Sequence, residues 1–517
     1  MRRAGVTSGD GANGGRTLAV VLGLVGAKAV LHLALAHRYG FHGDELYFLE
    51  CGRHLALGYV DHAPLVPWIA RASEAIGGTS LLALRLPAIF AATGTMALTA
   101  LLVREWGGGV RAQLVALLSC LFAPAYLRMG AMLNIPVVEV FLCTAAAYLV
   151  ARALRRDGQR TWWLVGLVAG IGLLTKHTTL LWGASLAVGL LVTEHRRALA
   201  RPAPWVGLVV AALLFLPNVV WQAQNGAPTL EFSAGLRRDV LHEQGRALFV
   251  LGQVLYFHPF VVPVWIAGIW FAFTEHGRAV RPFAVLFLVM AAVLLVLGGK
   301  PYYLASAYPA VLAAGGVALE RRLSQRVWLW RALVGSIALT GVGLAALTLP
   351  LLPLRTVDAA MDRLFGWVVP PMALTHDMHG ELGWDAHVET VERVVASLPP
   401  DERDGVTILT GSYSQAAALN VLRTRATPRA VSGHMTYHLW GPGTGRGSVV
   451  IAYGLPLRLL ERSYGVVEER ARIVAPDARP WDTDLPVYVC REPRVDLRRL
   501  WPELRRFHHG ELILRPR

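Results

Sequence analysis

Two pairs of residues near the amino terminus have side chains that can transfer a proton. Asp44 and Glu45 are adjacent in HGDELYF, and Asp61 and His62 are adjacent in GYVDHAPL. Both pairs follow the apolar run 17–37, which is long enough to span a bilayer. A carboxylate at the edge of a membrane is partly desolvated, which raises its pKa toward the range that suits a general base. We therefore interpret Asp44 and Glu45 as candidate catalytic acids. The alternative without a function is that both are solvent-exposed acidic residues of a loop.

The second pair, Asp61 and His62, has two interpretations of equal weight. An acid beside an imidazole can bind a divalent ion or a phosphate. Alternatively, Asp61 caps a helix that has Pro64 in its first turn. We carry both interpretations forward as a second acidic motif.

Two further stretches contain polar side chains of possible function. In GGKPYYLASAYPA, Lys300, Tyr302 and Tyr303 provide a cation and two hydroxyls, which suit an anionic lipid head group. Other polar residues predicted on the same membrane face are Arg85, Arg128, Glu139, Lys176, His177 and His258. Each of them alone can also be an interfacial anchor. In SGHMTYHLWGPG, the side chains of His434, Tyr437, His438 and Trp440 suit a sugar or peptide acceptor, and a well-packed loop is the alternative.

The composition is that of a polytopic membrane protein. Of the 517 residues, 54% are hydrophobic and only 16% are charged, whereas soluble domains are about 25% charged. The net charge of +15 comes from Arg residues in short loops between apolar runs, a pattern that fits topology signals better than a nucleic-acid-binding surface. The four cysteines lack zinc-ligand spacing, and a disulfide between Cys51 and Cys490 is one option.

Apolar runs of bilayer-spanning length predict eleven transmembrane helices. Their limits are 17–37, 81–103, 112–128, 135–151, 161–175, 178–194, 203–221, 248–274, 283–299, 304–319 and 328–352. The first run is longer than the apolar part of a signal peptide, so we interpret it as a retained helix.

Arginine-rich loops set the predicted orientation. The loops at 152–160, 195–202, 275–282 and 320–327 are basic, and the connections after the third, fifth and ninth predicted spans are nearly bare. The prediction is a cytoplasmic tail at 1–16, a transmembrane module at 17–352 with its first outer loop at 38–80, and an extracytoplasmic region at 353–517.

The region 353–517 is predicted to be a small α/β domain. DGVTILTG, GSVVIAYG and LPVYVCRE are short apolar runs bounded by turn residues, as strands are. HVETVERVVASL places valines and a leucine on one helical face, and ILTGSYSQAAAL has the pattern strand–turn–helix.

Several ordered motifs resemble the PMT-like (dolichyl-phosphate-mannose-type) membrane glycosyltransferases of the GT-C fold, which include the aminoarabinose transferases that modify lipid A. The matching stretches are GDELYF, GYVDHAPLVPWIA, LRLPAIFAATGT, RMGAMLNIPVVEVF, GLLTKHTTLL, GKPYYLASAYPA and GELGWDAHVETVERVVASLPP. Ala63 departs from the family form acid–His–Pro–Pro, while Asp61, His62 and Pro64 agree with it.

The resemblance implies an integral membrane enzyme that transfers a sugar, with inversion, from a polyprenyl-phosphate donor to an extracytoplasmic protein, lipid or glycan. It implies Asp44 as the base, and a donor phosphate held by Lys300, Tyr302, Tyr303, Arg85 and Lys176. Glu139 is grouped with the second acidic motif. Some relatives bind a divalent metal ion near this motif, for which Asp61 and His258 are the candidates.

Two other classes of protein remain open at this point. A secondary transporter or lipid flippase would carry ionisable residues in mid-span and often shows repeated halves. Here the polar residues collect on one predicted face, and no repeat is evident. A non-catalytic scaffold that presents the C-terminal domain is the third possibility.

Overall fold

The chain forms two compact units in the computed structural model, which describes residues 8–156, 158–238, 242–367, 371–424, 426–445 and 447–508. The outermost parts of the predicted tails, 1–7 and 509–517, lie outside the described residues. The first unit comprises Met1–Ala36, Arg85–Val219 and Gln244–Leu349. The second comprises His37–Leu84, Val220–Glu243 and Pro350–Arg517. The predicted first outer loop therefore clusters with the C-terminal region.

The first unit consists of apolar helices. They are Ser8–Leu35, Leu81–Glu105, Val110–Phe122, Pro124–Gly130, Ile135–Arg156, Thr161–Leu173, Thr178–Leu191, Pro202–Gln224, His242–Leu255, Val262–Ala272, Arg281–Leu297, Tyr308–Arg322 and Val327–Thr348. Short 3₁₀ helices cover Glu194–Ala200, Pro259–Val261, Glu275–Val280 and Pro301–Ala307.

The predicted count of eleven spans is not confirmed, although each predicted segment contains a helix. Within the described residues, seven helical segments are long and apolar enough to cross a membrane. Two further pairs of helices are bent, by 65° and 85°, which gives up to nine spans if each pair crosses once. Thr161–Leu173 and Thr178–Leu191 are apolar but shorter. The chain is a multi-pass membrane protein.

A buried lysine of the first helix contacts both sides of one of these bends. The helix Val110–Phe122 stops at Ala123 because Pro124 has no N–H to continue the ladder. Lys28 Nζ donates to the carbonyl oxygens of Cys120 (3.4 Å) and Tyr126 (3.2 Å). The carbonyl of Cys120, whose helical partner would be the missing N–H of Pro124, thereby gains a buried donor.

The second unit contains a sheet of five strands, which are β1 (Thr407–Thr410), β2 (Ala430–Ser432), β3 (Val450–Tyr453), β4 (Tyr464–Ile473) and β5 (Leu485–Pro493). Their order in the sheet is β2-β1-β3-β5-β4. Strand β1 pairs in parallel with β2 and β3, whereas β5 is antiparallel to β3 and β4. The predicted strands β1, β3 and β5 are confirmed.

Among its described residues, the second unit also contains eleven α-helices of at least four residues. They are Gly43–Arg53, Leu65–Gly77, Pro228–Leu236, Leu354–Phe365, Pro371–His379, Trp384–Ser397, Pro400–Arg403, Tyr413–Leu422, Thr436–Trp440, Leu457–Ser463 and Leu497–Leu500, with 3₁₀ turns at Pro480–Asp482 and Trp501–Leu504.

The two faces of the sheet have separate cores, because side chains alternate along a strand. Ile408, Ile451 and Val489 pack with Leu46 and Tyr47 of the helix Gly43–Arg53. The outer loop thus contributes directly to one core. Cys51 lies in this core, whereas Cys490 lies in the core on the other face. Both cysteines are free, so the disulfide between Cys51 and Cys490 that the sequence allowed is absent.

Candidate active site in the second unit

The helix Gly43–Arg53 begins with a reciprocal cap. His42 Nδ1 accepts a hydrogen bond from the backbone N–H of Asp44 (3.1 Å), and Glu45 Oε2 accepts one from the N–H of His42 (2.9 Å). This arrangement is a capping box with histidine as the N-cap residue. The Glu45 side chain is fully buried, so its observed role is to hold the helix start. Its catalytic role stays a prediction.

Gly43 lets the chain pack closely next to the candidate base. A Cβ atom there would lie 2.9 Å from Ser414 Cβ and 3.0 Å from Trp384 Cζ2. The N–H of Gly43 donates to the carbonyl oxygen of Gly380 (3.1 Å). The stretch HGD therefore combines a cap, a close contact and an acid, and the helix start is built against the C-terminal domain.

Asp44 is the more accessible of the two aspartates, with its side chain 42% exposed. Tyr413 donates its hydroxyl to Asp44 Oδ1 at 2.8 Å. Burial raises the pKa of Asp44, but His42, the Tyr413 hydrogen bond and Arg479 outweigh it and leave the pKa below its ordinary value. The expected raised pKa was wrong in direction, because the sequence could not show these partners.

Asp61 shows the opposite balance, with its side chain only 15% exposed. Tyr47 donates its hydroxyl to Asp61 Oδ1 at 2.9 Å. Burial raises the pKa of Asp61, and neither His62 nor the Tyr47 hydroxyl offsets this fully. The carboxyl group with the raised pKa is therefore the one in the second acidic motif.

His62 is buried beside Asp61, and the helix-cap alternative for Asp61 is wrong. His62 Nδ1 lies 3.0 Å from the carbonyl oxygen of Ala63, and Nε2 lies 3.8 Å from Asp61 Oδ1. The following helix, Leu65–Gly77, has Pro64 at its N-cap position and no side-chain cap. Asp61 thus takes part in a buried polar group around Tyr47.

An ion-pair network around a buried carboxylate, which sequence reasoning missed, fixes the far end of the helix Gly43–Arg53. Glu50 is fully buried, and its Oε1 accepts from Arg53 (3.1 Å). Its Oε2 accepts from Arg429, from Asn420 Nδ2 (3.2 Å) and from the hydroxyl of Tyr437 (3.2 Å). The spacing in the sequence gives no signal for it, since three of the partners lie hundreds of positions away.

The four residues of the predicted acceptor loop are largely engaged in packing. The loop forms the short helix Thr436–Trp440. Tyr437 binds Glu50, the ring of His438 stacks on Trp501, Trp440 stacks on His54, and His434 Nδ1 accepts from the N–H of Tyr413 (3.4 Å). These contacts favour the packing alternative, and acceptor binding stays a prediction.

In the first unit, three of the predicted phosphate-binding residues lie together. Lys176 Nζ lies 3.8 Å from the ring centre of Tyr303 and 5.4 Å from that of Tyr302. Glu139 attracts the charge of Lys176, Lys300 repels it, and Glu139 Oε1 accepts a hydrogen bond from Thr178. The structure thus gathers one cationic and aromatic cluster from separate sequence motifs.

Arg85 has a structural role in the first unit. It is buried, and its Nη1 donates to the carbonyl oxygen of Ala36 (2.9 Å), just after the first helix. Its assignment to the donor phosphate stays a prediction.

The candidate metal ligand His258 has hydrogen-bond partners of its own in the first unit. His258 Nδ1 accepts from the N–H of Phe260 (3.1 Å), and its Nε2 lies 3.1 Å from Thr340 Oγ1, so both ring nitrogens are engaged. Among the described residues, no three His, Cys, Asp or Glu side chains are grouped as metal ligands. Metal binding by Asp61 and His258 stays a prediction.

Comparison with known proteins supports the resemblance read from the motifs. The family model of dolichyl-phosphate-mannose-protein mannosyltransferases matches residues 61–221. No curated protein matches the chain. The apo crystal structure of ArnT from Cupriavidus metallidurans superimposes with a TM-score of 0.59 at 16% identity, over 91% of this chain and 97% of that chain. The structure of ArnT bound to undecaprenyl phosphate gives a TM-score of 0.57 with the same identity and coverage. The chain is therefore similar to this mannosyltransferase family in residues 61–221 and has, over most of its length, the fold of ArnT.

Proposed function

We propose that the chain is a membrane glycosyltransferase that takes a sugar from a polyprenyl-phosphate donor. The observation that carries this proposal is the near-complete match of the fold to ArnT, one structure of which holds undecaprenyl phosphate. The family match over residues 61–221 covers Asp61, His62, Arg85, Glu139 and Lys176, which points to the same chemistry.

Asp44 is the base in this proposal. Its carboxylate is ionised at neutral pH, is partly exposed, and is held by Tyr413. It takes the proton from the acceptor hydroxyl or amine as that group attacks the anomeric carbon. The bond between the anomeric carbon and the phosphate oxygen breaks, and polyprenyl phosphate leaves. Attack opposite to the leaving group inverts the anomeric configuration.

Lys176, Lys300 and the tyrosines of the KPYY motif bind the donor phosphate. Lys176 lies over the ring of Tyr303, and Lys300 lies in its electrostatic field. Cations stabilise the negative charge that develops on the departing phosphate. The lipid tail keeps the donor in the bilayer, since each buried CH₂ contributes about 0.8 kcal/mol.

A transfer assay separates this function from its main alternative. The purified protein in nanodiscs receives a polyprenyl-phosphate donor labelled in its sugar, together with cell-envelope extract as acceptor. We expect the label to leave the lipid fraction and polyprenyl phosphate to be released. Movement of intact labelled lipid between the leaflets of a liposome, with no release of label, would instead identify a flippase.

We propose that the reaction and residues 353–517 lie on the extracytoplasmic side of the cell membrane. The support is the distribution of arginine among the loops, together with the odd number of crossings that the sequence predicts from a cytoplasmic amino terminus. A carboxy-terminal alkaline phosphatase fusion should be active, and a green fluorescent protein fusion should be dark. The reverse pattern would overturn both the orientation and the odd number of crossings.

A further inference from the structure

Tyr413 belongs to the C-terminal α/β domain, and its ring is fixed at the end of a strand. Strand β1 ends at Thr410, and Tyr413 is the first residue of the helix Tyr413–Leu422. Ser412 caps that helix: its Oγ accepts from the N–H of Gln415 (3.3 Å), and Gln415 Oε1 accepts from the N–H of Ser412 (3.1 Å). A capped helix start leaves the backbone of Tyr413 little freedom.

Aromatic neighbours hold the ring of Tyr413 in one direction. The ring centres of Tyr413 and Tyr47 are 4.5 Å apart, and that of His434 lies 5.2 Å away. Such aromatic pairs restrict rotation of the ring and stabilise its position. The Tyr413 hydroxyl therefore meets Asp44 Oδ1 as a preorganised donor.

The two oxygens of Asp44 consequently differ. Oδ1 accepts the Tyr413 hydroxyl, whereas Oδ2 lies 3.8 Å from His42 Nδ1. That nitrogen already accepts the N–H of Asp44, so in neutral His42 it carries no proton to donate. Within the described residues Oδ2 receives no hydrogen bond, and it is the oxygen left to accept a proton from a substrate.

We infer that Tyr413 is a positioning residue that holds Oδ1 of Asp44 and leaves Oδ2 to act as the base, so that the C-terminal domain is part of the reaction apparatus. This inference rests on the proposed function and deepens it, because the sequence suggested only a role in acceptor selection. The other titratable or charged groups that act on Asp44 are His42, Arg479 and Asp377, and Asp44 in turn acts on Asp61. Unlike these groups, Tyr413 can lose its contact with Asp44 through a substitution, Tyr413→Phe, that changes no charge.

The test removes the hydroxyl and follows the ionisation of Asp44 without relying on activity. Carbodiimide coupling of glycine amide, read by peptide mass spectrometry, labels protonated carboxyl groups. We expect Tyr413→Phe to shift the labelling profile of Asp44 upward by about one pH unit, since it removes a hydrogen bond to the charged form. The acidic limb of kcat/KM for transfer should move by the same amount, while the donor KM stays unchanged.

Tyr453→Phe is the matched control, because it removes a buried hydroxyl of the same domain that lies 3.4 Å from the carbonyl oxygen of Gln415. It should leave the Asp44 profile in place. If Tyr413→Phe does not fold, 3-fluorotyrosine at position 413 keeps the shape and strengthens the donor, and should move the profile to lower pH. An unchanged Asp44 profile would overturn the inference. If the labelling profile of Asp44 shifts but the protein transfers no sugar, the proposed function is wrong, whereas the positioning of Asp44 by Tyr413 is supported.

Discussion

The start of the helix Gly43–Arg53 and the loop that follows it each present one aspartate to a tyrosine hydroxyl, but with different consequences. Tyr413 donates to Asp44 at 2.8 Å and Tyr47 donates to Asp61 at 2.9 Å. Asp44 is nearly half exposed and has a lowered pKa, whereas Asp61 is buried and has a raised pKa. The hydrogen-bond donor is the same in both cases, so burial and the neighbouring charges set the difference.

This contrast assigns separate tasks to the two carboxyl groups. The ionised, accessible group can accept a proton from an arriving acceptor. The buried group, with its raised pKa, suits orientation of Tyr47 and Thr436, which lie in hydrogen-bond contact with each other. Pairs of titratable groups whose environments push their pKa values apart are typical of active sites.

The largest effect is expected from neutralising the exposed group. Asp44→Asn keeps an oxygen for the Tyr413 hydroxyl but cannot take a proton, so transfer should fall by about 10²–10⁴-fold. Asp61→Asn should cost less, and the exposed Asp404→Asn should cost nothing. Rates measured in nanodiscs check this order. Equal losses at Asp44 and Asp61 would remove the distinction between them.

A second large effect concerns the far end of the same helix. Glu50→Gln leaves Arg53 and Arg429 without their shared anion, and should lower the free energy of unfolding by about 3 kcal/mol. Glu469→Gln, which breaks an exposed pair with Arg472, should cost less than about 1 kcal/mol. Thermal unfolding in detergent compares the two variants. Equal melting temperatures would show that the ion pairs of Glu50 do not stabilise the fold.

The packing of Gly43 predicts a moderate loss of stability. Gly43→Ala places a methyl group 2.9 Å from Ser414 Cβ and should cost about 1–3 kcal/mol through overpacking. Gly405→Ala is the control, because a Cβ at that glycine meets no atom within 4 Å. If both variants melt together, the helix start is not seated against the C-terminal domain as described.

The pH dependence of stability sharpens the comparison further. The lowered pKa of Asp44 contributes stability that is present above its unfolded pKa and is lost as pH falls through the folded value. The raised pKa of Asp61 has the opposite effect: its ionised form lowers the free energy of unfolding, and protonation in acid removes this destabilisation. Asp44→Asn should therefore destabilise mainly above the ordinary aspartate range, where Asp61→Asn should stabilise. Melting curves from pH 3 to 8 test these signs.

The smallest effect is expected at Lys300. Lys300→Ala should weaken apparent donor affinity several-fold and alter acceptor use less, because Lys176 and the tyrosines remain at the cluster. Steady-state kinetics with the donor varied give the answer. Unchanged donor affinity and turnover would return Lys300 to the role of an interfacial anchor.

Local patterns in the sequence predicted much of the fold. Apolar runs located the helices, and short bounded runs located β1, β3 and β5. Strand β2 has only three residues, and the edge strand β4 has the polar centre EERAR. Neither strand therefore shows the apolar run by which strands are recognised in a sequence. The bent pairs were predicted as single spans because hydropathy does not register a break at proline.

Sequence reasoning found the acids of the candidate site but not their partners. Asp44, Asp61 and His62 were found from local context, and Lys176 was found with the KPYY tyrosines by motif. Tyr413 lies 369 positions from Asp44, and Arg429 lies 379 from Glu50, so one chain without its fold cannot show these contacts. The direction of the Asp44 pKa was missed for that reason, because desolvation alone can be foreseen from sequence.

The most direct measurement of the central claim, that the two carboxyl groups ionise in a fixed order, is their titration in the unmodified protein. Carbodiimide labelling of Asp44 and Asp61 is followed by peptide mass spectrometry across pH, and each profile is normalised to its own maximum. We expect Asp44 to lose reactivity at a lower pH than Asp61, with the midpoints on opposite sides of the ordinary aspartate value. Coincident midpoints, or Asp61 ionising first, would contradict the assignment of Asp44 as the base.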